Sequence, residues 1–192
     1  MLKRFWRLNN MEEFLNIVNE NDEIIGQETR KNIHRQGLLH REIHVYFITP
    51  NKEIIFQRRV KNKDTFPNLL DATVGGHVDL NESYESAVVR EVEEETGLVV
   101  DIRDLKFINK VRVHSSDEAT GKINNAFQDE FYYLYSGDMA ALRVEEGASA
   151  GFEVWPLAKL LTAAENDQQR FIPYIFDFAV NKLSKIINDQ NL

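Results

Sequence analysis

Hydrophobic and polar positions alternate in several short runs of the chain, a pattern typical of β-strands. Ile43, Val45 and Phe47 occupy every second position of a run that continues to Ile48 and stops before Pro50, which predicts a largely buried strand. The same pattern predicts strands at Phe14–Val18, Glu23–Gly26, Glu53–Arg59, Leu98–Val100, Leu105–Val113 and Ala126–Tyr135, and an extended piece at Asp71–Val74 that leads into a sharp turn at Gly75-Gly76.

Positions with helical spacing predict several helices. The clearest spans Glu82–Thr96 and is closed by Gly97, because glycine readily adopts the left-handed conformation that ends helices. The others are a helical turn at Lys31–Arg35, a short helix at Trp155–Leu161 and an amphipathic helix at Phe171–Ile187 with Pro173 in its first turn. Strands around one central helix, followed by C-terminal helices, indicate an α/β or α+β sandwich. The length suits a single domain over residues 1–192, with residues 1–12 as a flexible start.

Composition and charge narrow the classes of function. The chain has 192 residues and a formal net charge of −8, which argues against binding a nucleic-acid polymer, because such binding needs a basic surface. The absence of cysteine excludes disulfides, thiolate metal sites and cysteine nucleophiles. The basic first residues are not followed by the apolar run of a signal peptide, and no window is apolar enough to cross a membrane. We therefore expect a cytoplasmic protein without a membrane partner.

Acidic residues crowd the predicted central helix and its start. They are Glu82, Glu85, Glu91, Glu93, Glu94 and Glu95. With about 100° between successive residues of a helix, Glu91 and Glu95 fall on the apolar face, Glu94 borders it, and Glu93 points to solvent. A solvated helix face explains Glu93, but carboxylates four residues apart on a buried face repel each other and must either take up a proton or bind a cation. Converging carboxylate oxygens are the ligands that Mg²⁺ or Mn²⁺ prefers, so this helix predicts a metal site.

The spacing of these residues matches a known motif over residues 76–98. Gly76 is followed after five residues by Glu82, and after seven more by Arg90-Glu91-Val92-Glu93-Glu94-Glu95-Thr96-Gly97-Leu98. This pattern resembles the Nudix box at every defined position, so the chain is similar to the Nudix hydrolase family. The resemblance implies a Nudix-type α/β/α sandwich with a mixed sheet. It also implies that water attacks phosphorus to hydrolyse a small-molecule substrate, a nucleoside diphosphate linked to a further group or a related organic diphosphate.

The resemblance also implies roles for the residues of the box. It assigns Mg²⁺, or alternatively Mn²⁺, to a ligand set of Gly76 (through its carbonyl), Glu91, Glu94 and Glu95. Glu91 would also serve as, or position, the base for the attacking water. Arg90 would hold the acidic cluster in place by pairing with Glu82. Arg90, Glu91 and Glu94 are therefore the residues expected to act in catalysis.

The flanks of the box resemble the Nudix branch related to isopentenyl-diphosphate isomerase. The segments that carry this resemblance are Asn16–Leu39, Lys63-Asp64-Thr65-Phe66-Pro67 and Asp71–His77. Arg59 and Lys63 match basic residues that contact diphosphate in that branch, although surface solubility also accounts for them. Isomerisation itself is disfavoured, because Gly75 stands where the isomerases carry a cysteine and because the box is complete.

Part of the isomerase metal site also has counterparts in the chain. His40, His77 and Glu130 match three of its ligands, and imidazole together with carboxylate suits Mn²⁺ or Zn²⁺. His34 lies one residue out of the required spacing, and Gln128 replaces the other carboxylate. The resemblance thus implies either a second metal site or an inherited structural remnant, in which His77 lines the turn and His40 begins a strand.

Several functional features have more than one interpretation. Many Nudix hydrolases carry further glutamates six and three residues before a tryptophan like Trp155, where this chain has Ser149 and Phe152. The candidates for such a loop carboxylate are Glu145, Glu146 and Glu153, which are off register, and Glu130. The aromatic residues of Ala126–Tyr135 would stack on a base or pack in the sheet. A domain that senses a nucleotide diphosphate without cleaving it is an alternative function, and the N-terminal strands with Phe171–Phe178 would support a homodimer.

Overall fold

The computed structural model describes residues 12–63, 65–144 and 147–189. Its strands are β1 (Phe14–Val18), β2 (Ile24–Thr29), β3 (His40–Ile48), β4 (Glu53–Arg59), β5 (Leu70–Asp71), β6 (Val74–His77), β7 (Lys106–Asp117), β8 (Lys122–Leu134) and β9 (Ser149–Pro156). Its α-helices are α1 (Arg30–Gln36), α2 (Tyr84–Thr96), α3 (Leu157–Leu161), α4 (Glu165–Gln168), α5 (Pro173–Phe178) and α6 (Ser184–Asp189). A 3₁₀ turn lies at Met139–Ala141, and a π-helical segment at Ala179–Leu183 joins α5 to α6. The flexible start predicted for residues 1–12 lies outside the described residues, apart from residue 12.

A mixed sheet of seven strands forms the centre of the fold, in the order β5-β4-β3-β8-β7, with β6 paired to β3 and β9 paired to β4. β3 runs parallel to β8 and antiparallel to β4 and β6, so both edges of this central strand are hydrogen-bonded. Both faces of β3 are buried: Val45 and Phe47 pack with α2, whereas Tyr46 and Ile48 pack with the C-terminal helices. This arrangement confirms the predicted α/β/α sandwich with a mixed sheet.

The hairpin β1–β2 leads directly into α1. Thr29 caps this helix by accepting a hydrogen bond from the Asn32 backbone N–H at 3.3 Å, and Gly37 ends it in the left-handed region at φ 65°. The last turn of α1 carries the buried His34, whose Nδ1 lies 3.3 Å from the carbonyl oxygen of Ile123 in β8. The short helix therefore brings one histidine to the beginning of β8.

The bounds of α2, the predicted central helix, are set by two capping residues. The Ser83 side chain accepts a hydrogen bond from a backbone N–H three residues on, so the helix begins at Tyr84 rather than at Glu82. Gly97 adopts φ 73° and ends the helix, as predicted. The apolar face of α2 is buried with residues of the sheet, and that confirms the helical periodicity read from the sequence.

Gly75 and Gly76 do not form the predicted sharp turn. Both belong to β6 and pair in antiparallel register with His44 and Ile43 of β3. Neither glycine has a positive φ, so the missing side chains serve close approach of other groups rather than an unusual backbone conformation. The reason for the error is that a pair of glycines signals a turn locally, whereas pairing with β3 keeps the segment extended.

Two further predictions are wrong. Leu98–Val100 pairs with none of the described strands and so forms no strand, and Val100 packs into the core beside α2. Trp155 belongs to β9 and not to a helix, since β9 pairs with β4 along its length and the indole is fully buried. The helical part of that prediction starts at Leu157. In the part of the chain that the structure describes, none of the helices has the length and apolar character needed to cross a membrane.

Candidate active site

Two carboxylates of α2 lie buried against β6. Glu91 and Glu95 are 8% and 7% exposed, whereas Glu93 is exposed, as the helical arithmetic predicts. Glu91 lies against Gly76: a Cβ on that glycine would be 2.2 Å from the Glu91 carboxyl carbon. Glycine at this position therefore allows the strand to approach the carboxylate closely.

Glu95 is oriented by two neutral donors. Its Oε2 accepts a hydrogen bond from Gln57 Nε2 at 2.9 Å and another from the backbone N–H of Gly75 at 3.2 Å. Gln57 is buried and also lies 3.4 Å from the carbonyl oxygen of Thr73, so it joins β4 to α2. These two hydrogen bonds fix the Glu95 carboxylate without adding positive charge beside it.

Arg90 joins the acidic residues of the box through its guanidinium. Its Nε and Nη2 donate to the two carboxylate oxygens of Glu82 at 2.9 and 2.8 Å, so the predicted pairing is present. Nη1 donates to Glu91 at 2.6 Å and to Glu94 at 3.3 Å, and Nη2 donates to the carbonyl oxygen of His77 at 3.0 Å. Burial acts to lower the pKa of Arg90, but the hydrogen bonds with Glu82 and the charge of Glu91 outweigh it and raise that pKa. A permanent positive charge therefore ties α2 to β6.

The donor set of this cluster suits a hard divalent cation. The guanidinium of Arg90 contacts three carboxylates, and Glu95 lies on the same helix, so the cluster keeps an excess of negative charge. Its donor atoms are carboxylate and backbone oxygens, which Mg²⁺ prefers over softer ligands. The structure brings Gly76, Glu91 and Glu95 to one pocket, whereas the half-buried Glu94 does not line this pocket and accepts a hydrogen bond from Arg90. Three of the four residues assigned to Mg²⁺, Gly76, Glu91 and Glu95, therefore share one pocket and fit that ion.

The carboxylates open into a pocket of about 420 Å³. Its lining also includes basic side chains from other elements, namely Arg30 of α1, Arg59 of β4, and Lys63 of the loop after β4. The predicted substrate-binding residues therefore share one pocket with Glu91 and Glu95. Such a combination suits an anionic ligand, because arginine and lysine bind phosphate oxygens directly and carboxylates reach them through a cation.

Arg59 is held in a fixed orientation at the pocket wall. Its Nη1 donates to a carboxylate oxygen of Asp71 at 2.9 Å, its Nε donates to the carbonyl oxygen of Thr65 at 2.9 Å, and its Nη2 donates to Thr65 Oγ1 at 2.8 Å. The side chain is only 13% exposed, which does not fit the explanation that it serves surface solubility. The same contacts tie the loop after β4 to β5.

Three histidines and a glutamate form a second cluster beside this pocket. One nitrogen or oxygen atom from each of His34, His40, Glu42 and His77 lies within 4.8 Å of all the others. His34 Nε2 is 3.1 Å from His77 Nε2, while Glu42 Oε1 is 3.3 Å from His40 Nε2 and 3.5 Å from His77 Nε2. The structure thus brings together His40 and His77, as predicted, and adds His34 and Glu42.

Glu130, the carboxylate predicted for this cluster, is not part of it. In the parallel pairing of β3 with β8, Glu130 lies opposite His44, whereas Glu42 lies opposite Gln128. Residues two apart on a strand are separated by about 6.6 Å, so the carboxylate that reaches the histidines comes from β3. Glu130 is fully buried and accepts a hydrogen bond from Gln128 Nε2 at 3.0 Å. Burial, and next the charge of Asp71, raise the pKa of Glu130 well above its usual range.

The electrostatics of the histidine cluster suit metal binding. Burial, and next the proximity of His40, lower the pKa of His34 to about 4. Burial and the charge of Arg30 hold the pKa of His77 well below its ordinary value. Burial acts to raise the pKa of Glu42, but its contacts with His40, His77 and Asn124 together outweigh burial and hold that pKa well below its usual range. Neutral imidazoles at His34 and His77 beside an ionised Glu42 are protonation states that metal binding requires.

The other candidates for a loop carboxylate do not reach the pocket in the described residues. Glu153 accepts hydrogen bonds from Arg170 Nη2 at 2.6 and 2.8 Å and from Trp155 Nε1 at 2.9 Å, which is a structural role. Glu145 and Glu146 lie outside the described residues. The aromatic residues of β8 pack within the cores or against side chains of β7 and do not line the pocket.

Comparison with known proteins now defines the family. The model of the NUDIX domain matches residues 38–175, and the protein belongs to the Nudix family. An uncharacterized Nudix hydrolase from Clostridium acetobutylicum is 30% identical over 189 residues, which cover 92% of this chain and 88% of that relative. A second one, from Streptomyces coelicolor, is 40% identical over 90 residues, or 47% of this chain, and the match spans only 50% of that relative.

Solved structures share the fold. A protein from Deinococcus radiodurans superimposes with a TM-score of 0.59 at 27% identity, over 78% of this chain and 87% of that one. A MutT protein from Methanosarcina mazei superimposes with a TM-score of 0.58 over 80% of this chain and 95% of that one, and its 18% identity supports the fold alone. These comparisons do not confirm the isomerase branch.

Glu42 and Gln57 are site residues that sequence reasoning missed. The alternation that predicts the central strand begins at Ile43, whereas β3 begins at His40. The predicted strand is therefore too short to include His40 and Glu42. A predicted strand that began at residue 40 would have placed both side chains on one face. Gln57 carries no sequence signal, because its contact with Glu95 joins residues 38 positions apart.

Proposed function

We propose that the protein is a metal-dependent hydrolase that cleaves a diphosphate linkage in a small molecule by attack of water on phosphorus. The observation that carries this proposal is the pocket shared by the buried carboxylates Glu91 and Glu95 and the cationic side chains of Arg59 and Lys63. Carboxylates alone would repel a diphosphate. Their presence beside arginine and lysine therefore fits a diphosphate substrate that contacts the carboxylates through a bound cation. Membership of the Nudix family supports the same reaction.

The acidic and the basic residues of the pocket would have different roles. The metal ion, Mg²⁺ or Mn²⁺, would be held by Gly76, Glu91, Glu94 and Glu95. When bound, it supplies neutralisation of phosphate charge and a lower pKa for water. Glu91, held by Arg90, would accept the proton of the attacking water or orient that water. Arg59 and Lys63 would bind phosphate oxygens, and the contacts that fix Arg59 reduce the entropy lost on binding.

Chromatographic separation of each substrate from its cleaved products tests this proposal, because hydrolysis of a nucleotide sugar or a dinucleotide gives organic phosphates and no inorganic phosphate. The panel contains nucleoside triphosphates, nucleotide sugars, dinucleotides, thiamine diphosphate and isopentenyl diphosphate, each with Mg²⁺ and with chelator. Glu95→Gln keeps the side-chain shape but removes a charge, and we expect turnover to fall by about a hundredfold or more. Glu93→Gln, on the exposed face of the same helix, is the matched control and should retain activity. Full activity in Glu95→Gln, or activity that survives the chelator, would overturn the proposed site.

The same panel separates the alternatives. Tight binding of a diphosphate in Mg²⁺ without product after long incubation would replace the hydrolase with a sensing module. Conversion of isopentenyl diphosphate to its dimethylallyl isomer would establish an isomerase instead. The homodimer stays a prediction, and the molar mass of the protein in solution, measured by light scattering, tests it.

We also propose that the histidine cluster binds a second metal ion from the class that prefers imidazole together with carboxylate, such as Mn²⁺ or Zn²⁺. The supporting observation is that ligand atoms from three histidines and a glutamate, one from each, converge within 4.8 Å, and that the pKa values of His34 and Glu42 are both lowered. Titration with Co²⁺, followed by visible absorption without substrate, should show one site that His34→Ala removes. The exposed His114 provides the control His114→Ala, and Glu95→Gln should keep the signal. Absence of the signal in the unaltered protein would leave the cluster a structural remnant.

A further inference from the structure

His44 lies in the middle of β3 and lines the pocket without belonging to the box or to the histidine cluster. On one edge of β3 it pairs with Gly75 of β6, and on the other with Glu130 of β8. The side chain is 7% exposed, and its Nδ1 makes no hydrogen bond within the described ranges, at 4.0 Å from the Glu130 carboxylate. Packing, and not a hydrogen bond, therefore surrounds the Nδ1 side of this buried imidazole.

The imidazole ring lies directly on Gly75. A Cβ at position 75 would be 2.9 Å from His44 Cδ2 and 3.0 Å from Nε2, and its next neighbour, the carbonyl oxygen of Ile43, would be 4.0 Å away. The ring alone thus fills the space that a side chain at position 75 would need. The backbone N–H of Gly75 donates to Glu95, so the position of the ring affects a carboxylate of the proposed metal site.

Tyr174 holds this ring in place from the first turn of α5. The two rings are parallel within 13°, with centroids 5.9 Å apart, and the Tyr174 hydroxyl lies 3.4 Å from His44 Nε2. The next residue of α5, Ile175, is fully buried in the core, so the helix that carries the tyrosine is firmly anchored. Helix α5 therefore contacts the pocket through the stacked rings of Tyr174 and His44.

We propose that His44 is a positioning residue: its ring, stacked on Tyr174, sets how closely β6 approaches α2. It thereby places the N–H of Gly75 and the carbonyl of Gly76 relative to Glu95 and Glu91. The catalytic consequence rests on the proposed hydrolase function, whereas the packing itself does not. Histidine at position 44 and glycine at position 75 form a matched pair, and a larger residue at 75 requires a smaller one at 44.

A double-mutant cycle tests the matched pair. Gly75→Ala should lower kcat about tenfold, because the ring and the strand must separate from 2.9 Å to the ordinary 3.4 Å, and small displacements of catalytic groups are costly. In the background of His44→Ala the added Cβ has room, so Gly75→Ala should then change kcat by less than about twofold. KM should stay within about twofold throughout, since Arg59 makes its own separate contacts. Equal losses in both backgrounds would overturn the proposal.

Two further measurements keep the outcome interpretable. His44→Phe preserves a ring without nitrogen and should keep most of the activity, together with the sensitivity to Gly75→Ala. A loss of activity in His44→Phe as large as in His44→Ala would show that a ring nitrogen acts instead and would refute positioning by packing.

Mn²⁺ affinity, measured by electron paramagnetic resonance without substrate, should fall in Gly75→Ala and recover in the double variant. Absence of turnover in the unaltered protein and in all variants would refute the proposed hydrolase. Losses of Mn²⁺ affinity that simply add in the double variant would refute the matched pair of His44 and Gly75.

Discussion

Replacing Gly76 with alanine probes the carboxylate site at its tightest contact. The new Cβ would lie 2.2 Å from Cδ, 2.3 Å from Oε1 and 2.6 Å from Cγ of Glu91. Favourable contact between carbon atoms begins at about 3.5 Å, so the Glu91 side chain or strand β6 has to move by about 1.3 Å. The size of this movement makes the substitution a direct test of where the carboxylate lies.

The surroundings leave little room for the movement. Arg90 Nη1 holds Glu91 at 2.6 Å, and β6 is paired with β3 along its length. Overpacking of this kind costs about 1–3 kcal/mol, which corresponds to a fall in Tm of about 2–12 °C for a protein of this size. A displacement of about 1 Å in a catalytic group lowers kcat about a hundredfold. We therefore expect Gly76→Ala to lose much activity and a moderate amount of stability.

The assay compares thermal unfolding with kcat and KM for a diphosphate substrate in Mg²⁺. Gly26→Ala is the matched control, because a Cβ on this strand glycine would meet nothing within 4 Å, and it should leave Tm and kcat unchanged. Unchanged kcat and Tm in Gly76→Ala would show that Glu91 does not lie on the strand as described. A fall in Tm with unchanged kcat would confirm the contact between Gly76 and Glu91, but it would show that catalysis does not depend on the position of Glu91.

Two further predictions concern charge. Arg90→Gln removes the guanidinium that binds Glu82 and Glu91 and should cost about 3 kcal/mol, or about 6–12 °C in Tm. The exposed Arg103 gives the control Arg103→Gln, which should leave Tm nearly unchanged, and equal losses of Tm in the two variants would contradict the prediction. In the presence of chelator, the free energy of unfolding should decrease as the pH falls from 6.5 towards 4. Over this range His34 takes up a proton in the unfolded chain but stays neutral in the folded chain, where its pKa is about 4. His34→Asn should flatten this part of the Tm–pH curve, and an unchanged slope would refute the assignment.

Local signals in the sequence were enough to define the central helix and its acidic face. Ser83 and Gly97 cap α2 through contacts within a few residues, and the helical period alone places Glu91 and Glu95 on the buried face and Glu93 in solvent. The layered fold followed from the order of strands and helices, because a helix or strand with one apolar face must bury that face against another element. These features depend on neighbours in sequence, so they can be read from it.

The tertiary structure decided how strands pair and which distant side chains meet. Gly75 and Gly76 form part of a strand only because β3 lies beside them, and two different elements exclude their side chains: His44 of β3 at Gly75 and Glu91 of α2 at Gly76. In the histidine cluster, α1 contributes one residue, β3 two and β6 one, so no local period connects them. The register of β3 with β8 gave the carboxylate role to Glu42 instead of Glu130, since a shift of two residues along a strand moves a side chain by about 6.6 Å. Strand register is set by the packing of the whole sheet, and for that reason the sequence pattern of one segment does not reveal it.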